Sequence, residues 1–126
     1  MTGWRWVSDL VVYAVHDREL AEHGGLEGVR DKGAVESALA RPRNLAAHGS
    51  PDAAALAAAY AFGLARKHGF ADGNKRTAWV TARLFLADNG RKLRFAKMEA
   101  VRVMEQVAAG QFAEDELALW FRERLD

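Results

Sequence analysis

The chain has no cysteine in 126 residues. That excludes disulfide staples and thiolate metal sites and fits a reducing cytoplasm. Net charge is equally scarce, since eighteen basic against seventeen acidic residues leave only +1. So weak a field implies no nucleic-acid or membrane surface as partner. No run reaches the ~18 apolar residues of a membrane span. The opening stretch, Met1 to Val7, is short and tryptophan-rich and lacks the apolar core of a signal peptide. Alanines apart, there is no low-complexity tract, and there is no internal repeat or linker. The expectation is one cytoplasmic domain over residues 1–126, long enough to bury a real core.

What is present reads as all-α, with about six helices. Ser8 can cap a helix that runs to about Glu22 and stops at Gly24-Gly25. Asp31 opens a short helix expected to end before Pro42, one of only two prolines, leaving Arg43 to Gly49 as a loop. Ser50-Pro51-Asp52 offers a cap, a proline at the first helical position and an acid behind it. The helix it starts, through about Lys67, is apolar all round from Ala53 to Ala61 and at Phe62 and Leu64, which marks a centrally buried element. Another runs from about Asn74 to Asn89-Gly90, and two more occupy Lys97 to Ala109, closed by Gly110, and Ala113 to Leu125. The triplets Trp4-Arg5-Trp6 and Leu93-Arg94-Phe95 alternate like short strands and are expected to pair.

The chemistry concentrates in the segment His68-Gly69-Phe70-Ala71-Asp72-Gly73-Asn74-Lys75-Arg76-Thr77-Ala78, between two of these helices. A helix that starts at Asn74 leaves its first backbone N–H groups unpaired and carries partial positive charge there, so an anion is favoured. Gly73 has no Cβ to obstruct a phosphate. Asn74 can donate its amide, while Lys75 and Arg76 add a point charge and a planar fork that suit phosphate oxygens. Asp72 is the only carboxylate of the loop. One carboxylate suffices for magnesium when substrate phosphates and waters complete its shell. Histidine accepts protons near neutral pH, which makes His68 the candidate general base, a role contributing about 10²–10⁴-fold. Phe70 does no chemistry and is read as the pin that holds the loop in the core. A lone histidine or a lone Gly-Asn-Lys-Arg turn would each have an ordinary scaffolding explanation. Their combination within nine residues points to phosphoryl or nucleotidyl transfer.

This segment resembles the signature of the Fic/Doc superfamily, and specifically its Doc (death-on-curing) branch. Fic-type members carry His-x-Phe-x-Asp/Glu-Gly-Asn-Gly-Arg, followed by a second arginine three residues after the first. Here Lys75 replaces the second glycine and Trp79 replaces that arginine, both in the Doc manner. The likeness extends to His16-Asp17, Gly24-Gly25-Leu26 with Gly28, Arg30-Asp31 with Gly33, Glu36 to Pro42, and Phe85 to Gly90. The resemblance implies the compact Fic/Doc helical bundle and a toxin that is an ATP- and Mg²⁺-dependent protein kinase. His68 would take the proton from a serine or threonine hydroxyl, Asp72 would hold the metal, and Gly73, Asn74, Lys75 and Arg76 would hold the phosphates. It further implies elongation factor Tu as substrate, arrest of translation, and a Phd-like antitoxin whose disordered C-terminal segment folds into a groove. A Fic-like AMP transferase and a catalytically silent anion-binding module are the alternatives; Lys75 and Trp79 weigh against the first, His68 and Asp72 against the second.

Four further positions have duller readings. His16 shares an i, i+4 row with Val12 and Leu20 and is read as a packing histidine. His48 is read as exposed. Arg83 lies seven residues after Arg76 on one face, where it either extends the cradle or lays its stem on the surface. Trp79, Trp120 and Phe121 are read as core.

Overall fold

A computed structural model describes residues 3–126; Met1 and Thr2, which begin the tryptophan-rich opening, lie outside the described residues. Six helices follow one another: α1 (Asp9–His23), α2 (Lys32–Ala47), α3 (Ala53–Lys67), α4 (Asn74–Asp88), α5 (Lys97–Ala108) and α6 (Glu114–Arg122). The class is all-α. No helix is long and apolar enough to cross a membrane among the described residues.

Helix α3 is the axis. Eleven of its fifteen residues are buried, and α2, α4, α5 and α6 all pack on it while α1 packs on α4. Its alanines permit the close approach. At Gly63 even an added Cβ would lie 3.1 Å from the Ala38 Cβ of α2. Tyr60, Phe70, Phe85 and Phe121 are the largest fully buried side chains, so the core runs from the site loop to the C-terminal helix. Trp79 joins it through rings 5.1 Å from Phe95 and 6.1 Å from Trp120 and Phe121.

The termini of α1, α4 and α5 fall where the sequence puts them. Ser8 caps α1 by accepting the Val11 N–H, and Gly24, at φ 78°, ends it. Helix α2 does not stop before Pro42; it continues through the proline to Ala47. An interior proline removes one helical hydrogen bond and crowds the carbonyl four residues back, but here the surrounding turns are held from outside. Leu45 and Ala46 pack on the core, the Arg43 guanidinium sits 5.6 Å from the Trp6 ring centroid, and Arg41 pairs with Glu114 at 3.1 Å. The expected loop is thus helix up to Ala47, with exposed His48 as its cap residue. The cap of α3 is Asp52, not Ser50, so Pro51 precedes the cap. A carboxylate there accepts the Ala55 N–H at 2.9 Å and the Arg122 fork together, which a serine hydroxyl cannot do.

The two alternating triplets do not pair with each other. Leu93 forms an isolated antiparallel bridge with Leu125, supported by Arg94 N–H to the Arg124 carbonyl at 2.9 Å. That bridge draws the tail away and ends α6 at Arg122. Arg5 is instead held by the Asn89 side chain, which accepts its N–H and donates to its carbonyl. Trp4 and Trp6 lay their rings beside Phe85. Among the described residues strand structure amounts to two isolated bridges.

Candidate active site

Helix α3 ends on His68, in the left-handed region at φ 49° and ψ 45°, the one non-glycine residue with positive φ among those described. Asparagine, aspartate and histidine tolerate that region better than other side chains. The turn leaves the His68 ring exposed and, among the described residues, without a hydrogen-bond partner. Gly69 then goes inward, tight against Val35 of α2, and its carbonyl accepts the N–H groups of both Arg30 and Asp31 at 2.9 Å. Phe70 is 1 % exposed. Its ring stacks on His16, 3.8 Å between centroids, and meets Tyr13 edge-on at 5.8 Å.

Asn74 is occupied by the loop itself. Its Oδ1 accepts the Phe70 N–H and its Nδ2 donates to the Phe70 carbonyl, both at 3.0 Å. The side chain that the sequence suggests as a phosphate donor is therefore a loop clasp with one amide hydrogen to spare. The anion-facing donors that remain are backbone groups. Gly73 is left-handed at φ 77°, and no side chain caps the first turn of α4. The N–H groups of Asn74, Lys75 and Arg76 keep no partner among the described residues. This is the open helix start that attracts anions.

Asp72 lies at the lip of that turn, exposed. One carboxylate oxygen accepts the Gly73 N–H at 2.9 Å, the other the Leu26 N–H at 3.3 Å. The Gly73 bond first, then the Leu26 bond, hold the carboxyl below the usual aspartate value. Two backbone bonds leave further lone pairs directed to solvent, so the group is anionic, exposed and short of ligands. That donor set suits a hard cation sharing its shell with phosphate and water. Glu19, Glu22 and His23 also bring ligand atoms within 4.8 Å of one another at the end of α1, but Arg18 and His23 already accompany those carboxylates.

Lys75 is exposed and holds no hydrogen bond or ion pair among the described residues. Arg76 is half-buried, and its Nη2 donates to the Gly24 carbonyl at 3.1 Å, while its Nε is buried with no partner among the described residues. Both line a groove of about 600 Å³ between α1, α4 and α5. Trp79, Val80 and Met104 contribute apolar wall, and Arg83 adds a third cation. The Arg83 guanidinium lies over the Phe95 ring at 4.9 Å and near the Trp79 ring at 5.9 Å, so its charge rests on the aromatic wall of the groove.

Reading the sequence missed the contribution of the α1–α2 loop. Leu26, Gly24 and the Val29–Phe70 bridge tie that loop to the motif from more than forty residues away. Backbone groups leave no trace in residue type. It also missed the bond of His16 to the Asp72 carbonyl, 2.8 Å from Nε2. A signal existed there, because a polar residue on a buried helical row must find a partner.

Comparison with known proteins agrees with this geometry. The pattern described as the Fic/DOC family matches residues 6–86, which take in α1 to Leu86 of α4 and the whole loop. "Protein kinase doc" of Escherichia phage P1 is 38% identical over 87 residues, 68% of this chain and 69% of that protein. "Toxin Doc" of Mycolicibacterium smegmatis is 39% identical over 99 residues, 75% of this chain and 76% of its own. With a family match over more than half its length, set on the very loop that holds His68 and Asp72, this chain belongs to the Fic/DOC family.

Proposed function

We propose that the chain, as one Fic/Doc domain over residues 1–126, is a Doc-type toxin. It acts as an ATP-dependent protein serine/threonine kinase in the cytoplasm. The observation that carries this reading is the uncapped first turn of α4 beside Gly73, flanked by an exposed imidazole and an exposed carboxylate. The names borne by the two relatives support it.

In this reading the triphosphate lies over the start of α4. The backbone N–H groups of Asn74, Lys75 and Arg76, with the Lys75 ammonium and the Arg76 guanidinium, bind its oxygens and neutralise charge as it develops. Asp72 would hold magnesium, which would supply further neutralisation of phosphate charge. His68 takes the proton of a serine or threonine hydroxyl. The hydroxyl oxygen bonds to the γ-phosphorus as the bond from that phosphorus to the β,γ-bridging oxygen breaks, and ADP leaves. Positioning decides which phosphorus reacts, because little covalent work falls to the protein. Lys75 fills the space that Fic-type enzymes leave for the α- and β-phosphates, and Trp79 gives its ring to the core instead of a guanidinium to them. Elongation factor Tu is the target implied by the Doc likeness, with arrest of translation as the outcome. The groove of α1, α4 and α5 fits a Phd-like antitoxin segment, apolar on one side and acidic toward Lys75, Arg76 and Arg83.

The test is to incubate the protein and a bacterial lysate with ATP labelled at the γ or the α position. Label on one prominent protein from γ-labelled ATP alone, absent with His68→Ala, is the expected result. Transfer from the α position would make the chain an AMP transferase. Transfer from neither would make the open helix start a silent anion site.

A further inference from the structure

His16 is the buried titratable group that the mechanism above leaves unused. It is 3 % exposed and, with Thr77 and Thr81, one of three buried polar residues among those described. It projects from the middle of α1 on the same buried row as Val12 and Leu20. Its ring lies 12° from parallel with Phe70, which fixes the plane in which Nε2 points. That atom is 2.8 Å from the Asp72 carbonyl oxygen. A carbonyl only accepts, so Nε2 carries the hydrogen and donates.

The other end of the same peptide is also held, since the Gly73 N–H donates to the Asp72 carboxylate. Two bonds, one at each end, fix the plane of the Asp72–Gly73 peptide. That plane sets the left-handed turn at Gly73, and the turn sets the direction of the free N–H groups that open α4. The packing is close as well. A Cβ on Gly73 would lie 3.3 Å from Leu20 Cδ2 and 3.6 Å from His16 Cδ2. An aromatic hydrocarbon at position 16 would fill this space equally well. What it would not supply is the hydrogen that the Asp72 carbonyl accepts in a part-buried bond.

We propose that His16 is a positioning residue for the transfer reaction. It is a donor on α1 that holds the Asp72–Gly73 peptide so that the Asp72 carboxylate and the open start of α4 face the same ligand. The nature of that ligand rests on the kinase reading; the clamp does not. His16→Phe keeps a flat ring against Phe70 and removes the donor, whereas His16→Gln removes the ring and keeps an N–H at similar reach. A residue that merely packs would rank phenylalanine above glutamine. A donor that positions the loop ranks them the other way.

The experiment compares wild type, His16→Phe and His16→Gln for amide hydrogen exchange at Phe70, Ala71, Gly73 and Thr77, whose N–H groups hold bonds in the loop and the first turn of α4, for affinity toward Mg²⁺ with a non-hydrolysable ATP analogue, and for thermal midpoint. In His16→Phe the four amides should exchange faster and the analogue bind more weakly, each by about tenfold, the scale of one net hydrogen bond. Amides in α3 should stay protected. His16→Gln should recover most of both losses despite a midpoint no higher than that of His16→Phe. Wild-type exchange in His16→Phe, or a glutamine variant looser than phenylalanine in the loop, would overturn the proposal. A wild-type protein that binds no analogue, with exchange still ranking glutamine above phenylalanine, would refute the kinase reading and support the clamp.

Discussion

His68 occupies backbone space that glycine fills at no steric cost; for a side chain the left-handed region carries roughly 1–3 kcal/mol. With its ring exposed and, among the described residues, without a hydrogen-bond partner, packing gives no return for that strain. The turn does one visible thing: it presents the imidazole at the mouth of the loop. Replacing His68 with asparagine separates backbone from chemistry, because asparagine tolerates the left-handed region and cannot serve as the base. His68→Asn should keep the wild-type thermal midpoint and lose about 10²–10⁴-fold of phosphoryl transfer, the range of a positioned base. Retained transfer, measured with γ-labelled ATP, would remove His68 from the reaction. At this scale the sequence is generous, because the proposed base, carboxylate and cradle are contiguous. It is silent where a side chain meets distant backbone. That is why the inward-turned amide of Asn74 and the partners of Asp72 on the α1–α2 loop were not readable from residue types.

Among elements, the helices were legible wherever a local signal decided their ends: the Ser8 cap, the glycines after α1, α4 and α5, and the alanine-rich α3. They were misread where tertiary contacts outweighed a local rule. Pro42 would end a solitary helix, yet the contacts of Arg41, Arg43 and Leu45 carry α2 past it. Ser50 would cap α3, yet Asp52 does so because it also faces Arg122. The loop between α3 and α4 shows the same logic in reverse, for it is set by its fit against α2. A Cβ on Gly69 would collide with Val35 Cγ2 and lie 3.1 Å from the Val35 nitrogen. Valine is short and stiff, and the second atom is backbone, so the loop would have to move. Gly69→Ala should destabilise the fold by ~1–3 kcal/mol, as overpacking does. It should also abolish transfer, since the displaced residues adjoin His68 and bond Arg30 and Asp31. Chemical denaturation and the labelling assay read the two effects separately; an unchanged denaturation midpoint would mean that α2 yields at no cost.

Across the whole molecule, the start of the central helix is joined to the last one through Asp52. Its carboxylate takes the Arg122 guanidinium through two bonds, 2.6 and 3.0 Å, while capping α3 at Ala55. The Arg122 hydrogen bond is the largest influence holding the Asp52 carboxyl below its ordinary value of 3.8. Both side chains are about half exposed, so solvent screens the pair and its worth is only about 0–1 kcal/mol. The cap adds roughly 0.5–2 kcal/mol. Asp52→Ala loses both and should cost about 1–2 kcal/mol. Asp52→Asn keeps a capping oxygen, loses the charge and should cost less. A carboxyl whose value is lowered by folding stabilises the folded state above its unfolded value and ceases to do so as pH falls through its folded value. The stability gap between wild type and Asp52→Asn should therefore be constant from neutrality down to about pH 4 and close below it. Asp72, also held low, titrates alike in both proteins and drops out of the difference. Urea unfolding of the two at a series of pH values measures the gap directly. A gap that survives undiminished at pH 3 would show that the charge of Asp52 does not stabilise the bundle, leaving the cap alone to account for the residue.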